Sequence, residues 1–342
     1  MKKQHYSIKD IAKANGVSVT TVSFVINGKA KEKKISKAVT EKILKYITKI
    51  KYKPNQIAQS LRTGKTNIIV FMVEDIANPF FANLARIIED IAYEKGYRVL
   101  FCSNDNNDDK SLELINLFKD RAVDGFIIIP SSGIEKKIGE LISEGVPLVL
   151  FDRYFPNLEN NKVIVDNKKA SYTATQHLIS NNYKNIGFIS TDVDQTQMLD
   201  RLEGYKNAVL EAGLTDSILR IPLRCIGIGD KKKQLETFLG ENAQLDAIYF
   251  ATNYLAITGL IVMKENFPSY ITEKGIIAFD DIDLFKLYSP TITAVQQPLE
   301  QIATKLMDTM LNLLKEDSEN LVSTVVLETE LIERESTQKR FK

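Results

Sequence analysis

Four polar side chains stand where an apolar run has just ended. Asp152 and Arg153 follow Leu148–Phe151, Asn253 comes soon after Ala247–Phe250, and Asp280 follows Ile276–Phe279. A carboxylate beside a guanidinium suits bidentate hydrogen bonding to sugar hydroxyls or to a carboxylate, and equally suits a structural ion pair. Asn253 can both donate and accept, and Asp280 would accept from hydroxyls. This is the chemistry of non-covalent recognition. Catalysis finds no comparable pattern: there is no G-x-S-x-G, no H-E-x-x-H and no full G-x-G-x-x-G, because Gly227-Ile-Gly229 lacks the third glycine. Gly64-Lys65-Thr66 has the last three residues of a P-loop pattern, but Gln59 stands where its first glycine belongs. Of the two histidines, His5 precedes the first helix, and His177 falls within a predicted helix and reads as structural. Cys102 and Cys225 are far apart without a C-x-x-C partner, which speaks against a disulfide or zinc site and for a reducing cytoplasm. The expectation is a protein that is not an enzyme and has no cofactor and no metal.

The charge is unevenly placed. Residues 1–65 hold 16 Lys and Arg against 3 Asp and Glu, leaving 29 of the 45 basic and 41 of the 44 acidic residues to the remainder. A net charge of +1 therefore hides a cationic head on an anionic body, the asymmetry of a nucleic-acid-binding head. The head has helical periodicity as well. Ser7-Ile-Lys-Asp10 reads as a capping box, and Asn15-Gly16 as a helix stop. Ser18 opens a second helix that Asn27-Gly28 ends, and Ser36 opens a third. Two short helices across a glycine turn, then a third, is a helix-turn-helix layout. Its second helix would enter the major groove with Ser18, Val19, Thr20 and Thr21 nearest the bases.

SIKDIAKANGVSVTTVSFVING, followed by TEKILKYITKIKYKPNQIAQSLRTGKT, resembles the head of the lactose-repressor (LacI/GalR) family. The resemblance implies a hinge helix after Pro54, with Ile57, Ala58 and Leu61 on its apolar face and Leu61 wedged into the minor groove. It assigns DNA contacts to Ser7, Ser18, Val19, Thr20, Thr21, Phe24, Asn27, Lys34, Tyr52, Asn55, Ala58, Leu61 and Arg62. Phe24 departs from the arginine usual in that family: it can touch a thymine methyl or pack inward, where arginine would read guanine.

From Asn67 onward, apolar strand runs alternate with helical ones. That predicts an α/β core of doubly wound parallel sheets, repeated to give two lobes, with ligands beyond the carboxyl ends of the strands. ANPFFANLARIIEDIAYEKGY, VDGFIIIP, VPLVLFDR, RLEGYKNAVLEAGL, AFDDID and SPTITAVQQPLEQIA are similar to the periplasmic-binding-protein-like core of the same family. The expected domains are a helix-turn-helix domain at 1–53, a hinge at 54–65 and an effector-binding and dimerisation core at 66–342. Within the core, the first lobe takes about 66–164 and 294–322, and the second about 165–293 and 323–335. The family match adds Phe80, Phe81 and Arg201 as effector contacts, Phe250 as a stacking position or core residue, and Asp166 at a crossing between lobes.

The expected function is a DNA-binding transcriptional regulator, a repressor, that responds to a sugar-like small molecule. The expected partners are that effector, a near-palindromic double-stranded operator and a second copy in a homodimer without a tetramerising coiled coil. No apolar run of membrane-spanning length and no secretory signal is expected, which places the protein in the cytoplasm. A solute-binding transport protein and a regulator controlled by a protein partner are the alternatives.

Overall fold

Serine decides where each helix of the head begins. Ser7 caps α1 (Ile8–Asn15): its Oγ accepts from the Asp10 amide at 3.3 Å, and the Asp10 carboxylate accepts from the Ser7 amide at 2.8 Å. Ser18 and Ser36 cap α2 (Val19–Ile26) and α3 (Lys37–Lys49) through the amides of Thr21 and Val39. Gly16 ends α1 at φ 71°, a left-handed conformation that a Cβ disfavours. The chain can then turn α2 across α1, and Ile11, Ala12, Val22, Val25 and Ile43 close a small core.

The computed structural model describes residues 6–52, 64–222, 228–315 and 322–338. Contacts divide the chain into Met1–Thr66 and Asn67–Lys342. The hinge positions Pro54, Asn55, Ile57, Ala58, Leu61 and Arg62 lie outside the described residues, as do His5 and Cys225.

The larger unit contains two six-stranded sheets with the same order of connections. In the first, β1 (Ile68–Val73) lies between β2 (Arg98–Ser103) and β3 (Gly125–Ile128), followed outward by β4 (Leu148–Phe151), β5 (Asn161–Val165) and β11 (Thr324–Leu327). In the second, β6 (Ile186–Asp192) lies between β7 (Ser217–Pro222) and β8 (Ala247–Phe250), followed by β9 (Gly275–Phe279), β10 (Thr293–Gln296) and β12 (Glu330–Ile332). Every pairing is parallel except β10 with β12. Parallel strands need helices on both faces, which is why β1, β3, β4, β8 and β9 are apolar without alternation. Alternate residues feed separate cores: Phe188, Tyr249, Ile277 and Phe279 face one way, and Ile189, Ile248, Phe250 and Ala278 the other.

Two crossings between lobes differ from the expected ones near Thr293 and Ser323. Thr293–Gln296 pairs with β9, with Ala294 beside Ala278, so the chain stays in the second lobe until it has passed Gln296. It then enters α13 (Leu299–Leu313), whose Ile302, Leu306 and Met310 pack in the first lobe's core. Thr324–Leu327 pairs with β5, with Val325 beside Val163, and so belongs to the first lobe rather than the second. The final crossing follows Leu327. β7, β10, β12 and α9 (Ile228–Glu241) are elements that apolar periodicity did not expose.

Helices α7 (Asn167–Ser180) and α8 (Thr196–Glu211) meet at Gly204, where a Cβ would stand 2.2 Å from the Lys168 carbonyl oxygen and 2.9 Å from the Tyr172 nitrogen. Both obstacles are backbone. Gly204→Ala is therefore expected to force the helices apart and to cost at least the ~1–3 kcal/mol of an overpacked core. Urea unfolding followed by circular dichroism should show an earlier transition for the larger unit, with the head's transition unmoved.

Candidate functional site

The carboxyl ends of both sheets open onto one cleft, part of it open to solvent. The first lobe brings Glu74 at the end of β1, Asn78, Phe80 and Phe81 at the start of α4 (Pro79–Glu94), Asn106 beyond β2, and Asp152 beyond β4. The second lobe brings Thr191, Gln195, Gln197, Met198, Arg201, Thr252, Tyr254, Asp280 and Gln297. Polar groups that converge from facing strand ends are what a small-molecule site requires.

Asp152 and Asp280 occupy matching places, one after the fourth strand of each sheet's first five, both in left-handed backbone at φ 68° and 70°. Each is 8% exposed. No described residue donates a hydrogen bond to the Asp152 carboxylate; Arg153 Nε lies 3.7 Å away as an ion-pair partner. Burial pushes the Asp152 carboxyl up to about 6, against the opposing pull of Arg153 and Arg201. Asp280 is raised by burial too, although Arg201 and a 2.6 Å hydrogen bond from Gln297 Nε2 oppose it.

Arg201 is held rather than free. Its Nε donates to Asn167 Oδ1 and its Nη1 to the Ala251 carbonyl, both at 2.8 Å, and the guanidinium lies 3.4 Å from the Phe279 ring centroid. Phe80 lies against Phe81 at 5.1 Å and Phe151 at 6.2 Å, so these aromatic rings join the lobe's core to the cleft wall. Among the described residues, hydrogen bonds across the cleft run from Asn253 Nδ2 to Asn78 Oδ1 at 2.9 Å, from Gln195 Nε2 to Asn106 Oδ1 at 3.2 Å, and from the Tyr154 amide to Thr196 Oγ1 at 3.3 Å.

Of the residues named from sequence, Phe80, Phe81, Asp152, Arg201 and Asp280 line the cleft, and Asn253 joins its rim through Asn78. Arg153 is buried beside the wall and donates to Glu74 at 2.7 Å, the ion-pair alternative. Phe250 does not reach the cleft: strand alternation turns it into the second lobe's core, its ring against Gly259. Asp166 does not reach it either. It caps α7 by accepting from the Lys169 amide and faces a separate space with Lys169, Thr173 and Glu328. Glu74, Thr252 and Gln297 were missed although they, too, sit at or just beyond strand ends; Gln195 and Gln197 carried no such signal.

In the head, Val19 and Thr20 are exposed at the start of α2. Ser7 and Ser18 spend their hydroxyls on caps, with Ser18 Oγ also 2.8 Å from Thr21 Oγ1. Phe24 is half-buried outside the head's core, with Lys33 Nζ 5.6 Å from its ring centroid. Asn27 caps α2 and donates to the Ser23 carbonyl; Lys34 is exposed in a left-handed turn; Tyr52 packs against the core.

A basic helix-turn-helix head and a two-lobed binding core define a DNA-binding transcriptional regulator. The chain belongs to the LacI family: residues 7–55 match the model of bacterial regulatory proteins of the lacI family, and residues 66–334 match that of periplasmic binding proteins and the sugar-binding domain of the LacI family. It is 32% identical to the HTH-type transcriptional regulator RegA of Clostridium saccharobutylicum, over 97% of this chain and 99% of the relative. Among solved structures, a LacI-family regulator from Silicibacter pomeroyi aligns with a TM-score of 0.79 over 97% of this chain and 99% of that one, at 18% identity. A LacI-family regulator from Enterococcus faecium with bound ribose aligns with a TM-score of 0.71 over 80% of this chain and 100% of that one, at 24% identity. At these identities the two structures speak for the fold. No helix among the described residues is long and apolar enough to cross a membrane.

Because its proton is held more tightly when buried, Asp152 favours the folded state below the ordinary aspartate range, and that advantage is lost as pH rises through about 6. Asp152→Asn should therefore unfold later than the parent at alkaline pH, by a margin on the order of a few kcal/mol. The margin should shrink as pH falls through 6 and vanish below the ordinary aspartate value of 3.8. Thermal unfolding of both proteins across that range is the check.

Proposed function

We propose that the chain is a cytoplasmic repressor that binds a near-palindromic operator as a homodimer and releases or grips it according to a sugar-like effector held in the cleft. One observation carries this reading: a head built to present Val19 and Thr20 belongs to the same chain as a cleft whose buried Asp152 accepts no hydrogen bond from any described residue. Thr20, Thr21 and Phe24 share one face of α2 at helical spacing. On this reading they meet base edges, while Lys33 and Lys34 meet phosphates and Leu61 and Arg62 meet the minor groove. Two heads on two half-sites explain why such an operator repeats itself. The ribose-bound Enterococcus faecium regulator supports a sugar as the ligand class here. Phe80 and Phe81 offer apolar faces, and Asp152 and Asp280 accept from hydroxyls.

The test is selection of genomic DNA by the purified protein, followed by titration at several salt concentrations with and without sugars. Binding should weaken linearly in log–log terms as salt rises. Replacing Lys33 and Lys34 by Gln should lower the slope by about one for each phosphate that is no longer neutralised. DNA binding that ignores salt, or none at all, overturns the reading. A transport protein would bind solute without binding DNA.

Closure of the cleft links the ligand to the distance between paired heads. Asn253→Ala removes one bond across its mouth while Asn78 still caps α4 through the Phe80 amide. The loss of ~0.5–1.5 kcal/mol from the closed state should weaken effector binding about two- to tenfold. Calorimetry on the full chain measures it, with DNA affinity in the absence of effector as the accompanying readout.

A further inference from the structure

The wall of the cleft is rich in acceptors and poor in free cations. Glu74, Asp152 and Asp280 bring three carboxylates to it, against one guanidinium, Arg201. That guanidinium has two of its three nitrogens engaged with Asn167 and Ala251. The other nearby cation, Arg153, is buried against Glu74 and Asp152, which between them take up its charge. Asp152 is left without a donor from any described residue, and Gln197 Oε1 is a second buried acceptor without a partner. The orphaned donors are Asn106 Nδ2 and, on Arg153, whose charge is already paired, Nε and Nη1. Asp280 and Glu74 both bear on Asp152 as like charges.

The backbone adds an independent sign. Asp152 and Asp280 both hold left-handed φ, at corresponding steps of the two sheets. Asparagine and aspartate are the residues with a Cβ that adopt that conformation most readily, so the two turns repeat one geometry in the two lobes. Here they turn two carboxylates, one from each lobe, into the same space.

Resting on the reading of this cleft as the effector site, we infer that the effector carries a protonated amine among its hydroxyls, as an amino sugar does, and that phosphorylated sugars are excluded. An ammonium group between Asp152 and Asp280 makes charge-assisted hydrogen bonds to the lobes and screens their mutual repulsion. A neutral sugar donates hydroxyls to the same oxygens but leaves the excess of three carboxylates over two guanidiniums uncompensated. A phosphate ester meets three carboxylates and little free guanidinium to neutralise it. Binding of the amine favours the ionised form of Asp152, the group that Glu74, Asp280, Arg153 and Arg201 all face, so the preference for the amine grows as pH rises through about 6.

The experiment is calorimetry on the full chain with three hexosamines (gluco, galacto and manno), the parent hexoses and their 6-phosphates, using the parent protein and Asp152→Asn. Asparagine tolerates left-handed backbone, so the variant keeps the turn. At about pH 7.5, at least one hexosamine should bind at least about tenfold tighter than its parent hexose, and the 6-phosphates at least about tenfold weaker than those hexoses. In Asp152→Asn the amine preference should fall below about threefold. A hexose that matches or exceeds its hexosamine, a 6-phosphate that binds tightest, or no binding by any hexosamine overturns the inference. Operator binding is followed in the same preparations. Salt-dependent DNA binding that survives an overturned preference leaves the regulator intact, whereas its absence overturns the regulator and not the charge preference of the cleft.

Discussion

Parallel pairing is the constraint on which the larger unit depends. A parallel strand must return from the far end of its sheet before its neighbour can begin, so each crossover needs a helix, and the loops that leave the strands collect at one end. Two sheets built with the same connections present two such ends to one another. That arrangement brings Asp152 and Asp280, more than a hundred residues apart, to corresponding sites on facing walls. It also explains why a core of nearly unbroken apolar strands stops at a polar rim: Glu74, Asp152, Asp280 and Gln297 are the first side chains beyond the cover of the helices.

The head answers to a different balance. Its core rests on five buried side chains, too few to carry a large unit, and precise helix ends take up part of the work. Capping settles those ends at Ser7, Ser18 and Ser36, and Lys42 Nζ reaches the Asn15 carbonyl at 3.1 Å to satisfy the end of α1. Lysines on the surface of so small a domain repel each other, a cost that a polyanion removes. The charge excess is therefore a feature of binding, and the apolar periodicity beneath it a feature of folding.

Much of this was legible in the sequence, and the failures have physical causes. Long apolar runs such as Ile68–Val73 and Leu148–Phe151 announce buried parallel strands, and glycine and serine mark the ends of helices in the head. Ser217–Pro222 is an edge strand of mixed polarity, and Thr293–Gln296 is only four residues long, so neither shows a period. The strand Thr324–Leu327 was visible, but its lobe depends on pairing with β5, some 160 residues earlier, which no local pattern encodes. Position after a strand located Asp152 and Asp280. It failed for Phe250, the last residue of β8, because alternation along that strand turns its ring into the core. Capture of Arg153 by Glu74 joins positions 79 residues apart and became visible only in three dimensions.

The energetics of closure follow from the same rim. The hydrogen bonds across the cleft, at Asn253, Gln195 and Tyr154, are each worth about 1 kcal/mol net, while closing brings together carboxylates that burial has already made costly to ionise. These opposing contributions set the balance between open and closed arrangements. A ligand shifts such a balance only by its difference in affinity for the two states, and about 1–3 kcal/mol of difference suffices for regulation. A buried acceptor that no described residue satisfies, such as Asp152, is a natural source of that difference. On the proposed reading, Asp152 and Asp280 set the ligand's chemistry and the sense of the conformational response together, because the same contacts that recognise it are the ones that pull the lobes closed.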